Sequence, residues 1–115
     1  MDREKIVADM QAHKDFVTKY AKNVNTAALD GLAKNYALVL SNNDSQYVAA
    51  SDESERITVR ENFLKKKLGL TDSDATLDAA IVAVGEVLKE ERFKSRLAYY
   101  YLLAEKFNKL DMFVK

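Results

Sequence analysis

The chain has 115 residues, 48% hydrophobic and 31% charged, with 18 basic against 18 acidic residues and neither cysteine nor proline. That size and balance support one globular core and exclude a disordered chain. They also exclude disulfides, thiolate metal sites and cysteine nucleophiles. Residues 1–57 hold 7 basic and 9 acidic side chains and residues 58–115 hold 11 and 9, so neither half is basic enough to suggest a dedicated nucleic-acid binder. The longest apolar runs, AAIVAVG and LAYYYLLA, fall far short of the ~20 residues of a membrane span. The charged start MDREKIVADM lacks the apolar region of a signal peptide, so a cytoplasmic protein with no membrane partner is expected.

With three glycines and no proline, turn punctuation is too sparse for a β-rich domain. The expectation is an all-α fold, a compact bundle of about five helices in a single domain spanning 1–115, with 1–15 a variable lead-in. In the first helix Ile6, Met10, His13, Val17, Tyr20 and Val24 recur at steps of four and three, a stripe that packs on the rest of the domain. Asn25 or Thr26 caps the second helix, whose apolar side is Leu29, Leu32, Tyr36, Val39 and Leu40. Gly31 inside it costs up to ~1 kcal/mol against alanine, which a close crossing at that point would explain. SNNDS at 41–45 ends it.

Ser51 and Asp52 open the third helix, with Glu55 spaced for a capping box, and it runs to about Leu68. At about 100° per residue, Ile57, Leu64 and Leu68 point one way while Val59 and Phe63 lie about 120–160° away. Arg56, Arg60 and Lys67 fall in the arc between, so Arg60 should be partly buried and needs an anionic partner. That partner is either an internal acid such as Asp78, Glu86 or Glu105, or a ligand. Arg56, Arg60 and Lys67 are therefore the candidate small-anion site.

The stretch KKKLGLTDSD, residues 65–74, reads as punctuation. Cations complement the end of the third helix, Gly69 takes the left-handed position beyond it with Leu70 folding back, and Thr71 to Asp74 cap and acidify the fourth. A calcium loop starting at Asp72 would need glycine at Leu77 and glutamate at Ala83. The fourth helix should bury Leu77, Ala80, Ile81, Val84, Val87 and Leu88. KEERFKSR is a polar break and Ser95 caps the fifth helix, LAYYYLLAEKFNKLDMF, whose narrow polar wedge is Ala98, Glu105 and Lys109. A helix that apolar is wrapped by others, so the C-terminal helix should be central.

No catalytic constellation emerges, so a non-enzyme is expected, with no cofactor. His13, the one histidine, cannot pair with another to build a zinc or di-iron site, and reads as a helix-edge side chain near Asp9. Glu86, Glu90, Glu91, Asp72 and Asp74 read as solvated surface charge. Tyr99, Tyr100 and Tyr101 read as core rings with hydroxyls reaching the surface, against the alternative of a platform for stacking bases beside Arg92 and Arg96. RENFLKKKLGLTDSDATLDAAI, KSRLAYYYLLAEKFNKLDMF and KYAKNVNTAALDGLAKNY resemble a small bacterial family of single-domain proteins, the domain of unknown function DUF2853, from about Phe16 onward. The resemblance implies a helical bacterial cytosolic protein without an assigned activity, cofactor or catalytic residue. The function expected is therefore a non-catalytic helical interaction module, with a protein partner or self-association. A small-anion or metabolite binder is the alternative, and weak nucleic-acid binding comes third.

Overall fold

The computed structural model describes residues 13–21, 24–36, 47–48, 52–91 and 94–114. Helix α1 (13–20) buries His13 and Val17 and half-buries Tyr20, as the stripe requires, while Ile6 and Met10 lie outside the described residues. Helix α2 is Thr26–Asn35, capped by the Asn25 side chain, which accepts from the Ala28 amide at 3.1 Å. Its inward residues are Ala28, Leu29, Leu32 and Ala33. Val39, Leu40 and the SNNDS stop fall outside the described residues.

Helix α3, Glu53–Thr58, starts at Asp52, whose carboxylate accepts from the Ser54 amide at 2.9 Å. Val59–Lys67 then continues as a π-helix. This change of pitch corrects the reading of the third helix at 100° per residue. A π-helix closes its hydrogen bonds from i to i+5, here Leu68 N to the Phe63 carbonyl at 2.9 Å. It turns only about 80° per residue. At that pitch Val59, Phe63, Leu64 and Leu68 fall within one arc of about 80°, and all four are buried. Ile57 precedes the change of pitch, points outward and is 40% exposed, so the expected Ile57–Leu64–Leu68 cluster does not form.

Gly69 adopts φ 69° and the Leu70 amide reaches back to the Leu64 carbonyl at 3.1 Å, which closes the helix as its sequence predicts. Helix α4, Asp74–Val87, begins at Ser73, whose hydroxyl accepts from the Thr76 amide at 3.3 Å. It buries Leu77, Ala80, Ile81 and Val84, and Leu88 beyond it is buried too, but Val87 points outward. A short antiparallel ladder unforeseen in the sequence pairs β1 (Tyr47–Val48) with β2 (Lys94–Ser95), Tyr47 opposite Ser95.

Helix α5, Arg96–Lys106, buries every residue from Arg96 to Ala104. It packs on α2, α4, both strands and a 3-10 turn at Leu110–Phe113, so the described elements form an all-α bundle wrapped around it. The Phe63 ring stacks on Tyr100, centroids 3.9 Å apart at 7°, and Tyr36 meets Tyr100 edge-on at 5.0 Å. The close approach expected at Gly31 is made by the 3-10 turn: a Cβ there would overlap the Phe113 carbonyl.

Candidate functional site

The π-helix decides where the three candidate cations go. At about 80° per residue, Arg60 and Lys67 flank the buried face on opposite shoulders, roughly 160° apart. Arg60 faces α4: its Nε donates to Glu61 at 2.8 Å, its Nη1 to both Asp78 oxygens at 3.1 and 3.0 Å, and its Nη2 lies 3.9 Å from Asp74. Lys65 closes the network on Asp74 at 2.6 Å and Glu61 at 2.9 Å. Hydrogen bonds from Glu61 and then Asp78 raise the Arg60 pKa further, and Arg60 and Lys65 hold Glu61 below the usual carboxylate range. Arg60 is thus the internal bridge to Asp78 that its partial burial required.

Lys67 points the other way, donating to the Asn35 side chain at 3.3 Å with its ammonium 5.8 Å from the Phe113 ring centre. Arg56 lies at neither place. It borders an open groove of about 320 Å³ between α3, α4 and β2. Lys89 and Lys94 also edge this groove, and Val82, Gly85 and Tyr99 wall it. Among the described residues lining it, Glu86 is the one carboxylate, while the Glu91 carboxylate lies close enough to Lys94 to be lowered by it. The structure therefore separates Arg56, Arg60 and Lys67 and gives Arg56 different cationic neighbours. A second groove, about 260 Å³, runs between Ala83, Val84 and Val87 of α4 and Leu102, Glu105 and Lys106 of α5.

The other singled-out residues are structural. His13 is not a helix-edge residue: it is buried, its Nδ1 2.6 Å from the Ser95 hydroxyl. That hydroxyl also caps α5 by accepting from the Ala98 amide at 3.3 Å. The three tyrosines are core rings, but their hydroxyls end on protein groups and not at the surface. Tyr99 donates to the Ile81 carbonyl at 2.6 Å, Tyr101 accepts from the Asn25 amide at 2.8 Å, and Tyr100 accepts from Arg96 at 2.9 Å. Burial pushes the Tyr99 phenol up to about 12, with Arg56 pulling the other way. No ring of the three is presented for stacking bases.

Sequence reasoning missed Arg96. It is 7% exposed, hydrogen-bonded to Glu55, Tyr100 and the Tyr47 carbonyl, and its guanidinium sits 5.5 Å from the Tyr100 ring centre. The Glu55 carboxylate, expected to complete a capping box, goes to Arg96. The available signal was Arg96 four residues before Tyr100 at the start of a wholly apolar helix, where a cation must be paired inside. Among the described residues no group of three His, Asp or Glu side chains gathers to hold a metal, and no helix is long and apolar enough to cross a membrane.

A comparison with curated proteins gives no match. A family model described as a protein of unknown function, DUF2853, matches residues 11–111. That match takes in the π-helix, the charge network on its Arg60 shoulder, both grooves and the whole of α5, and the chain belongs to the DUF2853 family.

Proposed function

We propose that the protein is a non-catalytic helical interaction module that self-associates through the outward face of α4. One observation carries this reading. The uncovered side of α4 is largely apolar: Val82 is 53% and Val87 51% exposed, and Ala75 and Ala79 are exposed beside them, with Glu86 on the same side. Exposed apolar side chains gathered on one helix face mark a surface that packs on another. Ala75, Ala79 and Ala83 at four-residue steps form a low ridge, the row along which two helices interdigitate. An identical helix offers the same ridge back, as a two-fold contact requires.

Light scattering over a wide concentration range tests it. A dimer is expected, reverting to monomer in Ala79→Lys and Val87→Lys while the melting temperature of the monomer holds. A wild-type chain that stays monomeric at every concentration refutes self-association, and capture of a different protein by the same face would replace the second copy with that partner.

The anion-binding alternative is favoured by a separate observation, the convergence of Arg56, Lys89 and Lys94 on one groove.

A further inference from the structure

We propose that the 3-10 turn Leu110–Phe113 is a detachable strap, and that the seat it covers on α2 accepts the same segment from a second copy of the chain. Helix α5 is finished without the strap. Asn108 takes φ 61° and the Lys109 amide reaches back to the Ala104 carbonyl at 2.7 Å, which closes the helix before the turn begins. Within the strap the Met112 amide donates to the Lys109 carbonyl at 3.1 Å and the Val114 amide to the Asp111 carbonyl at 3.2 Å. These bonds are local and travel with the segment. Among the described residues no backbone hydrogen bond ties the turn to α2.

One side chain is the main anchor. Phe113 is 3% exposed and Leu110 half-buried, while Asp111, Met112 and Val114 face outward. The seat is shaped to this anchor. The Phe113 carbonyl occupies the space a Cβ at position 31 would need, so α2 carries glycine in mid-helix where alanine is the better helix former. Lys67 lies over the ring, its ammonium 5.8 Å from the centre and bonded to Asn35 at 3.3 Å.

Burying one phenylalanine favours the closed strap by roughly 10- to 100-fold, which leaves on the order of 1–10% of molecules open. An open seat meets an identical segment on every other copy, and exchange of an identical element is a low-cost route to association.

The first probe is a fluorescein-labelled peptide of residues 109–115, KLDMFVK, titrated into full-length chains and followed by anisotropy. Phe113→Ala vacates the seat and should bind the peptide saturably. The wild-type chain should bind it about 10- to 100-fold more weakly, because its own strap competes. The double variant Gly31→Ala, Phe113→Ala should not bind it, because the new Cβ fills the seat. If Phe113→Ala does not fold alone, recovery of its circular dichroism on adding the peptide supports the seat equally. A Phe113→Ala chain that neither binds the peptide nor refolds with it overturns the proposal, since the turn is then a fixed part of the core. Equal affinity for the wild type and Phe113→Ala, or binding that survives in the double variant, overturns it as well. The second copy is tested by mixing. Tagged Gly31→Ala, with its strap free and its seat blocked, should retain Phe113→Ala at least tenfold better than it retains itself; equal retention overturns the second copy as occupant. Neither Ala79 nor Val87 belongs to this seat, so failure of association through α4 leaves these results standing.

Discussion

Helix α5 and the π-helix at 59–67 are both buried in the same core, yet they obey different rules. Every position of α5 from 96 to 104 is inside, so its pitch never has to choose a face. What α5 must do is satisfy the polar atoms it carries inward, and three tyrosine hydroxyls and Arg96 each end on a partner. The π segment has only Val59, Phe63, Leu64 and then Leu68 to bury, among charged neighbours. There the spacing of four, one and four selects the pitch, because the regular helix would leave half of these side chains outside. A helix covered on all sides tolerates any pitch, whereas a helix covered on one side is shaped by its own apolar spacing.

The sharpest way to break that contrast is to delete one residue from each segment. Removing Asn62, which is exposed, brings the four buried residues to the spacing i, i+3, i+4, i+8 of an ordinary helix face. The variant should fold, with the segment converted to regular helix and a loss of at most about 2 kcal/mol, within the ordinary range for a point change. Removing Ala98 turns Tyr99, Tyr100 and Tyr101 by about 100° relative to their partners, and should cost about 5 kcal/mol or more, comparable with the stability of a small domain. Urea denaturation of the two variants decides it; equal losses would mean that pitch is not what the π segment responds to.

The two arginines differ in how far their partners are buried. Arg96→Ala strands the Glu55 carboxylate against the core and should cost about 3–5 kcal/mol. Arg60→Ala removes a bridge whose acids, Asp74 and Asp78, face solvent, and should cost far less. The same denaturation series reads both.

The smallest effect is in pH. Burial raises the phenols of Tyr99, Tyr100 and Tyr36 above 10, Tyr99 to about 12. A group whose folded pKa lies above its unfolded value stabilises below the unfolded pKa, so this contribution should be complete below pH 10 and fade as pH rises through about 12. Phenolate absorbance should then appear together with loss of helix. On the π side the signs reverse. Arg60 lowers Glu61, and Lys65 lowers Asp74, so their contribution is present above the unfolded values of 4.5 and 3.8 and is lost as pH falls. Acid should loosen the Arg60 shoulder while the α5 core persists, visible as amide exchange at Asp78 before that at Tyr99.

How much of this was legible in the sequence follows the same division. The cap at Asn25, the left-handed Gly69, the tight approach at Gly31 and the central apolar helix were all legible, because each depends on chemistry local to a few residues. Ile57 and the grouping of Arg56, Arg60 and Lys67 were misread, since both rested on 100° per residue where the core imposes about 80°. Val87 fits the inward stripe of α4 by period, but no covering element reaches it. The groove cations were invisible as a set, because Lys89 and Lys94 join Arg56 only after the chain has doubled back through α4 and β2.

Gly31 meets a carbonyl made 82 residues later, and His13 meets a hydroxyl also 82 residues on. During synthesis, therefore, α1 and α2 emerge from the ribosome long before the groups that seat them. Their apolar sides must wait uncovered until translation has passed Phe113, a long exposure to chaperones and proteases for a chain this short.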